Sequence, residues 1–186
     1  MARSRVAALG IVAALTATAA EAQSFTFTGL FTGHIGVAAG KDVRDPSVVP
    51  GISLAVIDSD GYGAEIDIAH TNDFDDRFGG DSSITSGMLS FTYVYPALVL
   101  RPYLVAGAGV IGVRIAPDEL PTVSRTEPGW TAGGGAVYLV DEMLGVRGDV
   151  RYFRHFNHHA DLPLTGNGVL DFWRASIGVT LAWPIH

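Results

Sequence analysis

Charged side chains recur at every second position in two stretches of the sequence, and one more arginine follows near its end. The six residues are Glu65, Asp67, Arg147, Asp149, Arg151 and Arg174. Because successive side chains of a β-strand point to opposite faces, this spacing places each set on a single face. If that face is turned inward, the charges must pair or keep water. We expect a salt-bridge network, and the alternative is a gate or narrow ion pathway in which Arg and carboxylate groups exchange partners.

The final stretch, 171–183, has the clearest strand pattern in the chain. Apolar residues occupy every second position from Trp173 to Trp183, and mostly small or polar residues lie between them. About ten residues at ~3.3 Å each, tilted by ~40°, rise about 25 Å, which is the height of the apolar band of an outer-membrane barrel. The pattern therefore predicts a membrane-spanning strand whose apolar face meets lipid.

Seven further stretches are predicted to be strands, and among them 101–113 has the least clear alternation, because small and apolar residues occupy both of its faces. The eight predicted strands are 25–38, 49–57, 62–72, 84–95, 101–113, 129–139, 144–154 and 171–183, and short connections (58–61, 96–100, 140–143) alternate with long ones. This layout predicts an all-β fold, an eight-stranded antiparallel up-and-down transmembrane β-barrel. The expected membrane-interface aromatics are Tyr93, Tyr95, Trp130, Tyr138, Tyr152, Trp173 and Trp183.

The N-terminus has the features of a secretory signal peptide. Arg3 and Arg5 precede an apolar run at 6–15, and Ala20-Glu21-Ala22 forms a small-x-small cleavage site. We predict cleavage after Ala22, which divides the chain into a signal peptide (1–22) and a barrel domain (23–186). The chain would then be exported to the outer membrane of a Gram-negative cell.

Composition excludes several classes of protein. The absence of cysteine rules out disulfides and thiol chemistry, and the net charge of −7 argues against nucleic acid as a partner. Lys41 is the only lysine, whereas the wet face of a soluble sheet is usually rich in Lys and Glu. Glycine is frequent inside the predicted strands, which suits a narrow barrel with little room in its lumen.

Three segments resemble the small outer-membrane β-barrel family, the OmpA/OmpX-like group of eight-stranded barrels. They are LRPYLVAGAG (100–109), GWTAGGG (129–135) and LGVRGDVRYFR (144–154). The segment SIGVTLAW (176–183) is similar to the C-terminal signal read by the bacterial barrel assembly machinery. The resemblance implies an outer-membrane barrel without a cofactor, in contact with membrane lipid and lipopolysaccharide. It does not fix a function, because such barrels serve as anchors, adhesins, small pores and lipid-modifying enzymes.

We expect a non-enzymatic barrel protein that acts through its outer loops, with an unknown extracellular partner and a lumen plugged by the six charges. The rivals are a narrow pore, an exported soluble barrel with its apolar face inside, and a lipid A-modifying enzyme. No histidine has a serine two residues later, so the deacylase pattern is missing. His155, His158 and His159 are expected in the last outer loop, where metal binding is the less favoured interpretation.

Overall fold

The computed structural model describes residues 27–40, 43, 47–72, 80–96, 99–117, 122–156 and 170–185. They form a closed barrel of eight antiparallel strands in sequential order, which confirms the predicted fold class. The strands are β1 (Phe27–Ala39), β2 (Ser47–Ile57), β3 (Tyr62–Asn72), β4 (Gly80–Val94), β5 (Leu100–Pro117), β6 (Val123–Leu139), β7 (Leu144–His155) and β8 (Asp171–Ile185). Across these ranges, no helix is long and apolar enough to span a bilayer.

The first and last strands close the barrel along their whole length. The pairing of β1 with β8 runs from Phe27–Ile185 to Ala39–Trp173, so no strand in the described barrel is left with an unpaired edge. Closure satisfies the backbone hydrogen bonds of every strand within the sheet, which is the condition for strands to cross a bilayer. The two chain ends of the described barrel therefore lie together, at the end that carries the three short turns.

We call this end, where β2 is joined to β3, β4 to β5 and β6 to β7, the turn end, and the opposite end the loop end. Gly61 completes the first turn with a φ of +93°, a conformation that glycine adopts without strain. In the same turn the Asp58 carboxylate accepts hydrogen bonds from the backbone N–H groups of Asp60 and Tyr62, both at 2.9 Å. The sequence Asp58-Ser-Asp-Gly61 thus forms the tight turn expected of it.

The apolar faces of the strands point outward, as the alternation predicts. Large hydrophobic residues such as Ile52, Ile66, Phe91, Leu104 and Ile177 are exposed around the barrel wall. The residues between them in sequence are buried and face the lumen. This is the reverse of a soluble ligand-binding barrel, in which the apolar face lines the interior.

Several strands extend beyond their predicted bounds, and β6 does so by the most residues. The loop expected at 114–127 is largely strand, because β5 continues to Pro117 and β6 begins at Val123. The alternation in fact continues there, since Val113 and Ile115 are buried on either side of the exposed Arg114. Pro128 is tolerated within β6 because the pairing of β6 with β7 begins only at Gly129.

Candidate functional site

The six charged residues selected from the sequence all lie inside the barrel. Strand β3 supplies Glu65 and Asp67, β7 supplies Arg147, Asp149 and Arg151, and β8 supplies Arg174. None of the six exposes more than 8% of its surface. In a ring of eight strands β3 and β7 are four apart, so bonds between their side chains cross the lumen. An interior of this size is filled by side chains.

Glu65 is the first point at which the network crosses the lumen. Its Oε2 accepts a hydrogen bond from Arg147 Nη1 at 2.7 Å, and its Oε1 accepts one from Arg151 Nη2 at 2.6 Å. One carboxylate therefore bridges two guanidinium groups on the opposite wall. Charge-assisted bonds of this length are the strong class of protein hydrogen bond.

Asp67 forms the second crossing. Arg174 Nη1 and Nη2 donate to its two carboxylate oxygens at 2.9 and 3.0 Å, which is the two-pronged geometry that suits a guanidinium. The His34 ring lies 3.1 Å from the same carboxylate through Nε2. This contact places the His34 side chain in the lumen beside the charge network.

Asp149 gathers the contacts on the β7 side. Its Oδ2 accepts from Arg151 Nε at 3.0 Å and Nη2 at 2.9 Å, and its Oδ1 accepts from the Ser176 hydroxyl at 2.6 Å. Tyr103 donates its hydroxyl to Oδ2 at 2.7 Å and accepts from Arg147 Nε at 2.6 Å. The Arg147 guanidinium also lies 4.4 Å from the centre of the Tyr103 ring. Three arginines and three carboxylates thus form one electrically balanced cluster.

Tyr103 and Ser176 are members of this network that the sequence did not reveal. Tyr103 lies in the stretch 101–113, where small and apolar residues occupy both faces and hide the alternation. The available signal was its position two residues from Arg101 and Val105, which places all three on one face of a strand. Ser176 shares its face with Arg174, but nothing in its residue type distinguishes it from other small inward residues.

An apolar layer covers the network on the side of the loop end. The next inward positions beyond Arg151 on β7 and beyond Arg174 on β8 are Phe153 and Phe172. Their rings stack at 5.0 Å with an angle of 5° between planes, and the Arg174 guanidinium lies 4.9 Å from the centre of the Phe153 ring. The layer consists of residues at most 4% exposed, namely Ala38, Val43, Val49, Ala69, Ile84, Met88, Ile111, Val113, Ile115, Phe153, Leu170 and Phe172. This packing seals the loop end of the lumen.

The predicted interface aromatics divide between the two ends of the barrel wall. Toward the loop end, the Tyr152 ring lies 5.4 Å from the Trp130 ring and 5.1 Å from the Trp173 ring. Toward the turn end, Tyr93 packs at 4.9 Å against Tyr62, which the prediction did not include. Tyr95, Tyr138 and Trp183 complete the turn-end set and are exposed. Their role at a membrane interface remains a prediction.

The histidines are distributed differently from the expected loop cluster. His155 ends β7, pairs with Gly129 and is 2% exposed, so its assignment to the last outer loop is wrong. The strand continues one residue further than predicted and turns this side chain inward. His158 and His159 lie outside the described residues, as does the N-terminal segment with its expected cleavage site. Within the described ranges, no group of three or more His, Cys, Asp or Glu residues could hold a metal ion.

His70 is an exposed histidine near the loop end of β3. Its Nδ1 lies 2.8 Å from the Thr85 hydroxyl and its Nε2 lies 2.9 Å from the Asn72 Oδ1. A barrel hydrolase would need a serine–histidine pair oriented by an acid. The contacts of this ring are a threonine hydroxyl and an amide instead.

A closed eight-stranded barrel with an apolar outer wall and a charged interior has the architecture of the small outer-membrane barrels. Among solved structures, the chain resembles the N-terminal β-barrel domain of Pseudomonas aeruginosa OprF with a TM-score of 0.62 and 14% identity, covering 84% of this chain and 97% of that one. The chain also resembles Neisserial surface protein A, with a TM-score of 0.64 and 17% identity, covering 83% of this chain and 96% of that one. It resembles Ail, the attachment invasion locus protein of Yersinia pestis, with a TM-score of 0.58 and 12% identity, covering 86% of this chain and 99% of that one. At these identities the likeness establishes the fold.

No protein-family model matches the sequence, and no curated protein matches it either.

Proposed function

We propose that the protein is an integral outer-membrane β-barrel with a plugged lumen, which acts as a structural and surface-interaction protein through its outer loops. The loop end would face outward and the turn end would face the periplasm, as in barrels of this layout. The exposed apolar wall supports the membrane position, because a continuous apolar band of this kind would be costly in water. Outer-membrane lipid and lipopolysaccharide would surround it, and the C-terminal strand would engage the barrel assembly machinery.

The observation that carries the proposal is the double closure of the lumen. The charge network crosses the barrel from β3 to β7 and β8, and the apolar layer packs directly against it. A rearrangement of the ion pairs alone would leave the apolar layer in place. The arrangement therefore favours a plug over the rival interpretation as a gated pore.

Fractionation and solute flux test this proposal together. The mature protein should be found in purified outer membranes and should migrate faster on a gel before boiling than after it, as compact barrels do. Liposomes that contain it should exclude a small neutral sugar as well as liposomes without protein do. Recovery of soluble protein from the periplasm would contradict the membrane position, and sugar entry would contradict the plug.

A further inference from the structure

The turn end of the lumen contains a cavity that the charge network does not fill. Its volume is about 980 Å³, and it opens between the three turns. Pockets of roughly 300–1,000 Å³ are the usual size for small-molecule sites, and the mouths of β-barrels are among their usual places. We call this cavity the vestibule.

The vestibule is a blind pocket. Tyr103 packs with Val105 and Val137, and Val94 and Leu139 pack against this group. Tyr103 is also bonded to Arg147 and Asp149, so it joins the upper wall of the vestibule to the charge network. A molecule that enters from the turn end therefore meets a closed lumen and must leave by the way it came.

The walls of the vestibule are mainly hydrocarbon. Five apolar residues from four strands line it, namely Leu30, Ile57, Val137, Leu139 and Ala182. Side chains that leave an apolar surface open to water can bind an apolar group of matching size. The walls thus favour a ligand with a hydrophobic portion.

The rim of the vestibule carries an excess of negative charge. Asp58, Asp141 and Glu142 line the mouth together with a single cation, Arg101. Asp58 belongs to the β2–β3 turn and the other two to the β6–β7 turn, and these turns are four strands apart. The carboxylates therefore stand on opposite sides of the opening.

Two of these carboxylates are held in fixed positions by the backbone. Asp58 Oδ1 accepts from the N–H groups of Asp60 and Tyr62, both at 2.9 Å. Asp141 Oδ1 accepts from those of Met143 and Leu144, both at 2.7 Å. Charges that are already ordered lose little freedom when a ligand arrives.

We propose that the vestibule binds an amphipathic cation, with its apolar group against the hydrocarbon walls and its amine at the rim carboxylates. A cleft lined by one sign of charge and enclosed by low-dielectric walls concentrates counter-ions. The membrane around the barrel would supply such walls. The site extends the proposed function, since it gives a plugged barrel a ligand on the side of the turn end.

Binding of 4-phenylbutylamine to the mature protein in nanodiscs of zwitterionic lipid tests the proposal. Its neutral and anionic matches are 4-phenylbutanol and 4-phenylbutyrate, which share the phenylalkyl group. Methyl NMR signals of Leu139 and Ala182 report on the vestibule, and that of Leu104, which is exposed on the outer wall, reports on partition into lipid. The amine should cause saturable shifts at the first two residues and none at the third, the alcohol should bind more weakly, and the carboxylate weakest.

Two matched substitutions separate rim charge from general charge. Glu142→Gln should weaken amine binding by about two- to fivefold, the range expected for one exposed ion pair. Asp60→Asn removes a charge from an exposed turn residue outside the cavity lining and should leave binding unchanged. Equal binding of all three compounds, equal effects of the two substitutions, or an absence of saturable shifts at Leu139 and Ala182 would each overturn the proposal. Unchanged gel mobility before boiling would show that both variants fold.

Discussion

The two ends of the lumen are built from the same alternating strands and yet hold different interiors. Toward the loop end, aromatic and aliphatic side chains pack against the charge network until less than a twentieth of their surface is exposed. Toward the turn end, the inward side chains leave the vestibule open between the turns. One wall thus encloses a sealed half and an open half.

The difference shows that strand alternation decides which residues face inward but not how they fill the space. The charge network marks the boundary. On one side Tyr103, which is bonded to Arg147, packs with the vestibule residue Val137. On the other side Arg174 lies against Phe153. Buried ion pairs contribute little net stability by themselves, since desolvation offsets most of their attraction. Their stronger effect is to fix which groups lie together, because an unpaired charge at this depth would be costly.

The largest effect is expected from Arg151→Leu in the sealed half. Arg151 donates to both Glu65 and Asp149, so its loss leaves two buried carboxylates short of a partner. The free energy of unfolding should fall by about 3–5 kcal/mol, as measured by urea unfolding in lipid vesicles. Arg154→Leu changes an exposed arginine three residues along the same strand and is the control. If both variants lose the same free energy of unfolding, the charge network contributes no specific stability.

Phe153→Ala should be the next most damaging change, because it removes one of the two stacked rings of the apolar layer. A loss of about 3 kcal/mol is expected for a buried phenylalanine of this kind, measured in the same way. The matched substitution is Phe156→Ala, since Phe156 is exposed and lies just beyond the end of β7. If both changes cost the same, the loop end is not sealed by packing.

A double-mutant cycle on Asp67 and Arg174 should give a smaller, favourable coupling. Their two short bonds cross from β3 to β8, and the pair is almost fully buried. We expect a coupling energy of about 2 kcal/mol from the unfolding free energies of Asp67→Ala, Arg174→Ala and the double variant. Additive losses would mean that the bidentate contact contributes nothing of its own.

The smallest expected effect is the difference in unfolding free energy between two alanine substitutions, one in each half of the lumen. Ile111→Ala, in the apolar layer, should lower the free energy of unfolding by about 2 kcal/mol. Leu139→Ala, at the vestibule wall, should lower it by only about 1 kcal/mol, because part of that side chain already faces open space. A larger loss at Leu139 than at Ile111 would reverse the comparison of the two ends.

The sequence predicted the wall of this barrel better than its interior. Alternation in 144–154 is clear, and it placed Arg147, Asp149 and Arg151 on the inward face where they lie. Which arginine would meet which carboxylate could not be predicted, because Glu65 and Asp67 are four strands away from β7 and meet it only after the barrel closes. Tyr103 was missed because its stretch has small residues on both faces. The inward position of His155 was missed because the predicted strand ended at residue 154, one residue before the end of β7.

The vestibule has no counterpart in the sequence pattern. Its walls are ordinary aliphatic residues. Its rim carboxylates have the sequence pattern of turn residues, and two of them do accept hydrogen bonds from the backbone of their turns. Only the difference in packing between the two ends reveals the space. Patterns with a period of two carry no information on how much volume the inward side chains leave.

The most direct test of a sealed loop end and an open turn end is the labelling of single introduced cysteines. The protein has no cysteine of its own, so each introduced thiol reports alone. Leu139→Cys in the vestibule wall and Ile111→Cys in the apolar layer would be treated with a charged, membrane-impermeant thiol reagent after insertion into lipid. Labelling should be rapid at position 139 and, until the barrel is unfolded, absent at position 111. Comparable labelling of both thiols in the folded protein would show that the lumen is open throughout and that the loop end is not sealed.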